Sequence, residues 1–237
     1  MIPIYDENPT KRFPYLTVTL LAANIAIFGY EVTLSSDALQ SLFDTWGFTP
    51  VAFFSSRLEP TALITIVTAM FLHGGWLHLI GNMLYLWIFG NNVEDRLGPI
   101  WFLLLYLGGG AAATMAHAFV YPTSDVPLVG ASGAIAGLLG AYLMLYPRAK
   151  VVTVIPVFVF IELAKLPAAF VIGMWFLLQL AQGVGSIGAA TGVAWWAHVG
   201  GFVIGAAAML PLIAGSQIKS AAKRRTKKRV ESEEQRP

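Results

Sequence analysis

The chain has 237 residues, of which 57% are hydrophobic and 12% are charged, and it contains no cysteine. Its mean hydropathy is +0.67, whereas in soluble domains roughly a quarter of the residues are charged. This composition excludes a soluble enzyme, and the lack of cysteine excludes disulfides and thiolate metal sites. The length allows about six membrane spans of ~20 residues each and little else.

Apolar stretches recur along the whole chain and predict six membrane-spanning helices. The first stretch is too long for the core of a signal peptide and no small-residue cleavage site follows it, so we expect it to remain as a span. The predicted spans are residues 15–34, 75–92, 100–120, 131–146, 167–184 and 194–214. We therefore expect an all-α membrane protein with a cytoplasmic N-terminal segment (1–14), one six-helix membrane domain (15–214) and a basic, disordered tail (215–237).

Three further segments are not predicted to span the membrane independently. Residues 61–72 lead into the second span, and residues 35–60 are too polar to cross, so we expect 35–60 to be an interfacial loop. Residues 151–166 form a short segment that contains Pro156. We expect it to dip into the membrane or to lie on its surface, because irregular backbone is tolerated at depth only where protein or water covers it. A seventh span is the less favoured alternative.

Lys and Arg residues predict the orientation, because cytoplasmic loops are enriched in them. If the N-terminus is cytoplasmic, all but two of the 15 Lys and Arg residues lie in inner segments, and the exceptions are Arg57 and Lys165. We expect the chain in the plasma membrane of a bacterium or archaeon, with both termini in the cytoplasm. The basic run 223–229 is typical of a topology signal or of contact with anionic lipid, and we expect no nucleic-acid partner.

The second, fourth and sixth spans carry polar residues near their N-terminal ends, which this topology places close to the outer face. They are His78 with Asn82, Ser132 within Gly130-Ala131-Ser132-Gly133, and His198. Small residues at helical spacing follow two of them, namely Ala136 and Gly140 after Ser132, and Gly201, Gly205 and Ala208 after His198. Such faces let two helices pack closely, as a Ser–His hydrogen bond of about 2.6–3.2 Å requires.

These residue types suit a serine nucleophile. Ser132 is the candidate nucleophile, because the start of a helix supplies N–H groups and a positive dipole where negative charge would develop. His198 is the candidate base, and His78 and Asn82, on one helical face, are candidate donors to an oxyanion. Asp125 is the one carboxylate near that end of the third and fourth spans. A dyad without it is the simpler hypothesis, because it avoids burying a carboxylate.

Together these motifs resemble the rhomboid intramembrane serine proteases. The likeness includes the residues around Ser132, Ala197-His198-Val199-Gly200-Gly201, and His78 with Asn82, and it runs from Asn8 nearly to the tail. The resemblance implies a six-helix rhomboid-type bundle and an outward-opening, water-filled site. It implies Ser132 as nucleophile, His198 as base, and an oxyanion site of His78, Asn82 and the Ser132 N–H. It also implies single- or multi-span membrane proteins as substrates, cut near the outer end of a span, and no metal or organic cofactor.

Two features depart from the pattern of that family. The connection 35–60 lacks the adjacent Trp-Arg pair that many members of the family have in this loop. Trp46 and Arg57, which are not adjacent in this chain, are the candidates to replace that pair. Ala136 stands where several relatives place an aromatic ring against the base. We therefore expect the base to rest on another ring, such as Trp195 or Trp196.

The other polar residues favour structural roles. We expect His73 to support the outer loop and His117 to be a structural hydrogen-bonding group. Glu94 and Arg96, in the connection between the second and third predicted spans, are expected to tie that inner loop together. The chain has no His-Glu-x-x-His motif and no Asp within the predicted spans, which argues against metal-dependent and aspartyl proteases.

Two other classes of protein remain as alternatives. The main one is a non-catalytic rhomboid-like protein that binds or routes membrane proteins, although such proteins typically lose the serine or the histidine. The other is a small-solute transporter, which would be favoured by an inverted repeat or by charges at mid-membrane, and the sequence shows neither.

Overall fold

The computed structural model describes residues 1–55, 59–157, 160–187 and 193–215, and these ranges are mostly helical. The helices are α1 (Tyr15–Glu31), α2 (Ser36–Trp46), α3 (Pro50–Ser55), α4 (Pro60–Thr68), α5 (Trp76–Tyr85), α6 (Asn91–Leu97), α7 (Pro99–Val120), α8 (Ser132–Leu145), α9 (Ala168–Gly185) and α10 (Trp195–Ala208). A 3₁₀ turn (Ala69–Phe71) precedes α5, and a π-helical turn (Leu86–Gly90) joins α5 to α6. The strands are β1 (Ile2–Asp6), β2 (Lys150–Val157) and β3 (Phe160–Pro167). The predicted tail lies outside the described residues after Gly215.

Within the described ranges, three helices are long and apolar enough to cross a membrane, namely Pro99–Val120, Ala168–Gly185 and Trp195–Gly215. A fourth is counted if Pro60–Phe71 and Trp76–Leu97, which meet at 83°, form one broken span. α1 and α8 are apolar but shorter, with 17 and 14 residues. The fold is therefore a helical membrane bundle. Each of the six predicted stretches contains an apolar helix, but a crossing by all six stays a prediction.

A three-stranded antiparallel sheet corrects the prediction of an all-α protein. β2 and β3 form a hairpin in which Lys150 lies opposite Pro167, and β1 pairs with the other edge of β2. The described residues of the segment 151–166 therefore pair with one another as strands, and they form no spanning helix. Its β-branched run from Val151 to Ile155 favours extended backbone, which explains why the segment is a hairpin.

The N-terminal segment 1–14 is part of this fold, because β1 adds the third strand. Oδ2 of Asp6, at the end of β1, accepts hydrogen bonds from the hydroxyl of Tyr142 (2.6 Å) and from Nδ2 of Asn92 (2.9 Å). Burial raises the pKa of the Asp6 carboxyl, and the hydrogen bond from Tyr142 opposes the rise. These contacts join the sheet to α6 and to the C-terminal half of α8.

Glu94 of α6 is buried and holds the start of α1. Its carboxylate accepts hydrogen bonds from the backbone N–H groups of Leu16 (2.9 Å) and Thr17 (2.8 Å) and from Oγ1 of Thr17 (2.8 Å). A negative charge at this position also compensates the positive end of the α1 dipole. Glu94 therefore has a structural role, but its hydrogen-bond partners belong to the first predicted span and not to the inner loop that it was expected to tie together.

The described part of the connection 35–60, predicted as a loop, contains the short helices α2 and α3. α2 begins after Ser35, whose Oγ accepts a hydrogen bond from the N–H of Ala38 (3.4 Å). Between the two helices, the buried Phe48 exchanges two backbone hydrogen bonds with Leu128 (3.0 and 2.7 Å). This bridge ties the connection to the segment that leads into α8. Arg57 lies outside the described residues.

α8 is the central helix of the bundle, and its residues 133–142 are all buried. Its contact with α10 depends on glycine. A Cβ on Gly205 would overlap the carbonyl oxygen of Gly137, and a Cβ on Gly140 would overlap the carbonyl oxygen of Phe202. The predicted close approach of these two helices through small residues is therefore confirmed.

Candidate active site

Ser132 is the first residue of α8, and a glycine shapes the backbone before it. Gly130 has a φ of +123°, which favours glycine, and its N–H donates to the carbonyl of Ala69 (2.8 Å). A Cβ at this position would lie 2.6 Å from Nε2 of His78, so glycine also lets the loop pass close to that ring. The first N–H groups of a helix have no intrahelical partner, and Ser132 begins that set in α8.

His198 lies in the first turn of α10, and its Nε2 is 2.8 Å from Oγ of Ser132. The two residues are 66 positions apart in the chain, and the glycine-mediated packing of α8 on α10 brings them together. This distance is that of a hydrogen bond, and it allows the serine hydroxyl to donate to the imidazole.

The second ring nitrogen of His198 contacts a residue that no sequence motif singles out. Nδ1 lies 2.6 Å from Oε1 of Gln179, a buried residue of α9. Asp125, the one carboxylate considered for this position, is exposed in the loop before α8. The signal that could have identified Gln179 is its amide within an apolar helix, because polar groups in spans are costly unless they are hydrogen-bonded.

Two tryptophan rings flank the imidazole of His198. The ring centroid of Trp175 on α9 is 6.0 Å away with an interplanar angle of 37°, and that of Trp195 is 6.2 Å away and nearly perpendicular. Trp195 is one of the two rings expected to replace an aromatic residue at position 136. The other, Trp196, packs beside Gly183, where a Cβ would lie 3.4 Å from its ring.

A cavity of about 680 Å³ opens beside the Ser132–His198 pair. Its wall includes His78, Asn82 and His117. The volume lies in the range of ~300–1,000 Å³ that is typical of ligand sites. The structure thus brings together at one cavity the four residues that the sequence singled out. They are the candidate reacting groups Ser132 and His198 and the candidate donors His78 and Asn82.

His78 and Asn82 present nitrogen donors at this cavity. Nδ1 of His78 accepts a long hydrogen bond from the N–H of Gly74 (3.4 Å), which leaves Nε2 to carry the ring proton. Nδ2 of Asn82 is buried and has no hydrogen-bond partner among the described residues. A buried donor without a partner is costly to the fold, and it is free to bind an oxygen atom of a ligand.

The other two histidines lie outside this set of donors. The backbone N–H of the buried His73 donates to both carboxylate oxygens of Glu31 at 3.2 Å, which fixes the turn before α5 to the end of α1. The ring of His117 packs on Tyr121, with 5.1 Å between centroids. Nδ1 of His117 has no hydrogen-bond partner in the described part of the chain, so the expected structural hydrogen bond is missing at that atom.

Comparison with known proteins agrees with the motifs. A family model described as the rhomboid domain matches residues 60–215. The chain is 30% identical over 151 residues to rhomboid protein 1, mitochondrial, of Saccharomyces cerevisiae, which covers 62% of this chain and 40% of that protein. It is 39% identical over 80 residues to the putative rhomboid protease YdcA of Bacillus subtilis (34% of this chain, 40% of that protein). It is 46% identical over 78 residues to the rhomboid protease GluP of the same species (33% and 15%).

The fold and the site define a helical membrane protein with a serine and a histidine in contact beside a cavity. The chain belongs to the rhomboid family, whose domain model covers more than half of it. Members of this family are generally intramembrane serine proteases, and two of the relatives are named as proteases. The chain spans less than half of the length of each of the three relatives described above.

Proposed function

We propose that this protein is an intramembrane serine endopeptidase that cleaves the transmembrane segments of other membrane proteins through a dyad of Ser132 and His198. The observation that carries the proposal is the 2.8 Å separation between Oγ of Ser132 and Nε2 of His198 at the cavity. The names of the two Bacillus subtilis relatives, both called rhomboid proteases, support the same activity.

In the first half of the proposed reaction, Oγ of Ser132 attacks the carbonyl carbon of the scissile peptide bond, and its proton passes to Nε2 of His198. The electron pair of the C=O bond moves to the oxygen atom, which becomes an oxyanion. The donors proposed for this oxygen are Nδ2 of Asn82, the Nε2–H of His78 and the backbone N–H of Ser132. Fixed donors are most effective where charge develops only in the transition state.

In the second half, His198 returns the proton to the leaving nitrogen as the C–N bond breaks, which leaves an acyl ester on Ser132. A water molecule then gives a proton to the same imidazole nitrogen and attacks the ester carbon. As the bond between the ester carbon and Oγ of Ser132 breaks, His198 gives this proton to Oγ, which restores the serine hydroxyl and the neutral imidazole and releases the acid product. We expect no metal or organic cofactor, because each transfer uses only these groups and water.

The proposed setting follows from the apolar helices and from the charge pattern. We propose six crossings of a bacterial or archaeal plasma membrane, with both termini in the cytoplasm, as the distribution of Lys and Arg favours. The substrates would be single- or multi-span membrane proteins that unwind locally near the outer end of a span. Lipid is the other proposed partner, and no nucleic acid is expected.

The test is cleavage of a generic single-span substrate by the purified protein in liposomes, with Ser132→Ala and His198→Ala prepared in parallel. Ser41→Ala is a matched control, because Ser41 is exposed on α2. We expect the wild type and Ser41→Ala to cleave and both site variants to lose activity, with labelling of the wild type at Ser132 by a serine-directed phosphonate.

Wild-type protein that binds membrane segments but cleaves none of several substrates, and that is not labelled at Ser132, would overturn the proposal. That result would favour the non-catalytic rhomboid-like alternative. Cleavage that persists in Ser132→Ala would instead exclude this serine as the nucleophile.

A further inference from the structure

Gln179 is a buried polar residue in the apolar helix α9, with 8% of its surface exposed. Its Oε1 lies 2.6 Å from Nδ1 of His198, which is a short distance for a hydrogen bond to a ring nitrogen. An amide in a spanning helix is costly unless it is hydrogen-bonded, so this contact accounts for a residue that packing alone does not require.

The contact bears directly on the protonation of the imidazole. A neutral imidazole has one N–H donor and one acceptor nitrogen, and the hydrogen bond of one nitrogen determines the role of the other. Nε2 of His198 is the atom that faces Oγ of Ser132, so it must be the acceptor if it is to take the serine proton. Nδ1 must then carry the hydrogen, and the amide oxygen of Gln179 is placed to accept it.

We propose that Gln179 is a positioning residue that holds His198 in the tautomer with the hydrogen on Nδ1. This inference rests on the proposed protease function and extends it to a third residue. When the serine proton moves to Nε2, the ring becomes an imidazolium, and the Nδ1–H donates to the same amide oxygen. Gln179 itself neither gains nor loses a proton. A neutral oxygen takes the place of a carboxylate, which would be costly to bury.

The other groups around His198 are not suited to this task. The Trp175 and Trp195 rings contact the imidazole, but an indole offers only an N–H donor and accepts no hydrogen bond from Nδ1. The titratable groups of the described residues that face His198 are His78 of α5 and His117 of α7. Neither is hydrogen-bonded to Nδ1, whose partner is the amide of Gln179.

The test compares three variants of the full chain in liposomes. Gln179→Met keeps the length of the side chain and removes the acceptor oxygen, whereas Gln179→Glu keeps an acceptor. Gln182→Met is the matched control, since Gln182 is exposed on the same helix. The readouts are kcat and KM for a single-span substrate, and ¹⁵N NMR of labelled histidine, which reports the ring nitrogen that carries the hydrogen. The chain has 4 histidines, so the signals can be assigned by substitution.

We expect Gln179→Met to lower kcat by at least ~30-fold with little change in KM, because a well-placed general base contributes about 10²–10⁴-fold. Its NMR spectrum should show His198 with the hydrogen partly on Nε2. Gln179→Glu should recover at least tenfold in kcat over the Met variant, and Gln182→Met should match the wild type. If Gln179 served only in packing, kcat should instead be higher in Gln179→Met than in Gln179→Glu, because Met suits an apolar helix better than Glu.

Equal kcat for the wild type and Gln179→Met, with the hydrogen on Nδ1 in both, would overturn the inference while leaving the protease proposal intact. A wild type that shows neither cleavage nor labelling of Ser132 would overturn the protease proposal itself. The NMR measurement needs no activity, so the two failures are distinguishable. A folded Gln179→Met protein is recognised by an unchanged thermal unfolding midpoint in detergent.

Discussion

Asn82 is a buried amide whose Nδ2 has no hydrogen-bond partner among the described residues and lies at the wall of the cavity. If the proposed protease function holds, we expect Asn82→Ala to lower kcat by about 10²–10³-fold, as the loss of one oxyanion donor does in serine hydrolases. KM should change little, because the oxyanion forms only in the transition state. Steady-state cleavage in liposomes would measure both constants.

Ser124→Ala is the control for this variant, since Ser124 lines the same cavity and its Oγ accepts a hydrogen bond from the N–H of Val126. A variant at Asn82 with unchanged kcat and a raised KM would show that the amide binds the ground state of the substrate. The thermal stability of Asn82→Ala should equal or exceed that of the wild type, because the substitution removes an unpaired buried donor.

Some residues of the site could be predicted because their positions are encoded locally. Ser132 and His198 each lie in the first turn of a helix, and the glycines that follow them mark the faces on which the two helices pack. Gln179 could not be predicted in this way. Gln179 reaches His198 only because its face of α9 is turned toward α10. A helix that is apolar on all sides carries no pattern in the sequence that shows which face is turned inward.

At the scale of the elements, the contact of α8 with α10 holds the serine and the histidine together. We expect Gly205→Ala to force the two helices apart, because the added Cβ would overlap the carbonyl oxygen of Gly137. Overpacking of this kind typically costs about 1–3 kcal/mol of stability. The midpoint temperature of thermal unfolding in detergent should decrease, and so should the rate of phosphonate labelling at Ser132.

The control for helix packing is Gly173→Ala in α9, where an added Cβ would have no atom within 4 Å. This variant should be as stable as the wild type or more stable by up to ~1 kcal/mol, because alanine favours the helix. If Gly205→Ala and Gly173→Ala behave alike in both assays, the close contact at Gly205 is not what positions the pair.

The sheet has a predicted dependence on pH through Asp6. Burial raises the pKa of this carboxyl, so its contribution to stability is present below the ordinary value of an aspartate and is lost as the pH rises through the raised value. Asp6→Asn keeps an oxygen that accepts from Tyr142 and Asn92, and it removes the partly buried charge. Near neutral pH, the variant should therefore be at least as stable as the wild type. The difference between their free energies of unfolding should become smaller toward a pH of about 4, where the wild-type carboxyl is protonated.

Thermal unfolding of both proteins across this pH range would measure the effect of Asp6. Asp6→Ala is the companion variant, and it should lose about 1–3 kcal/mol, because it leaves the Tyr142 hydroxyl and the Asn92 amide without their acceptor. A clear loss of stability in Asp6→Asn at neutral pH would show that the ionised carboxylate is favourable and that its hydrogen bonds outweigh its burial.

The helices were more predictable than the sheet for a physical reason. A spanning helix satisfies all its backbone hydrogen bonds within one apolar stretch, so composition and length are enough to identify it. β1 and the hairpin are separated by more than 140 residues, as in the pair Ile2 and Val154, and no local signal in 1–14 indicates that partner. The apolar, β-branched segment 151–166 is equally compatible with membrane contact, so its composition did not indicate strands, and its position at the membrane stays a prediction.

At the scale of the whole molecule, the orientation of the bundle can be tested with single cysteines, because the chain has none of its own. Lys11→Cys and Arg148→Cys should be shielded from a membrane-impermeant maleimide added to intact cells. Asp37→Cys and Asp125→Cys should react with it. All four positions are exposed in the structure, so a lack of reaction reports the membrane and not burial within the protein.

The cysteine-free parent is the control for labelling, and permeabilised cells give the full signal for each variant. The opposite pattern, with positions 11 and 148 reactive and 37 and 125 protected, would invert the proposed orientation. Reaction at position 11 together with protection at 148 would mean that an odd number of crossings lies between the two positions.

The shortness of α8 has a consequence for the membrane itself. Its 14 residues extend about 21 Å at 1.5 Å per residue, whereas the hydrocarbon core of a bilayer is ~30 Å thick. Residues 133–142 are buried on all sides by neighbouring helices, so no lipid chain lies against them. If the protein is the proposed protease, the short α8 would place Ser132 at a depth that lipid alone would keep dry, and water would reach the peptide bond through the cavity.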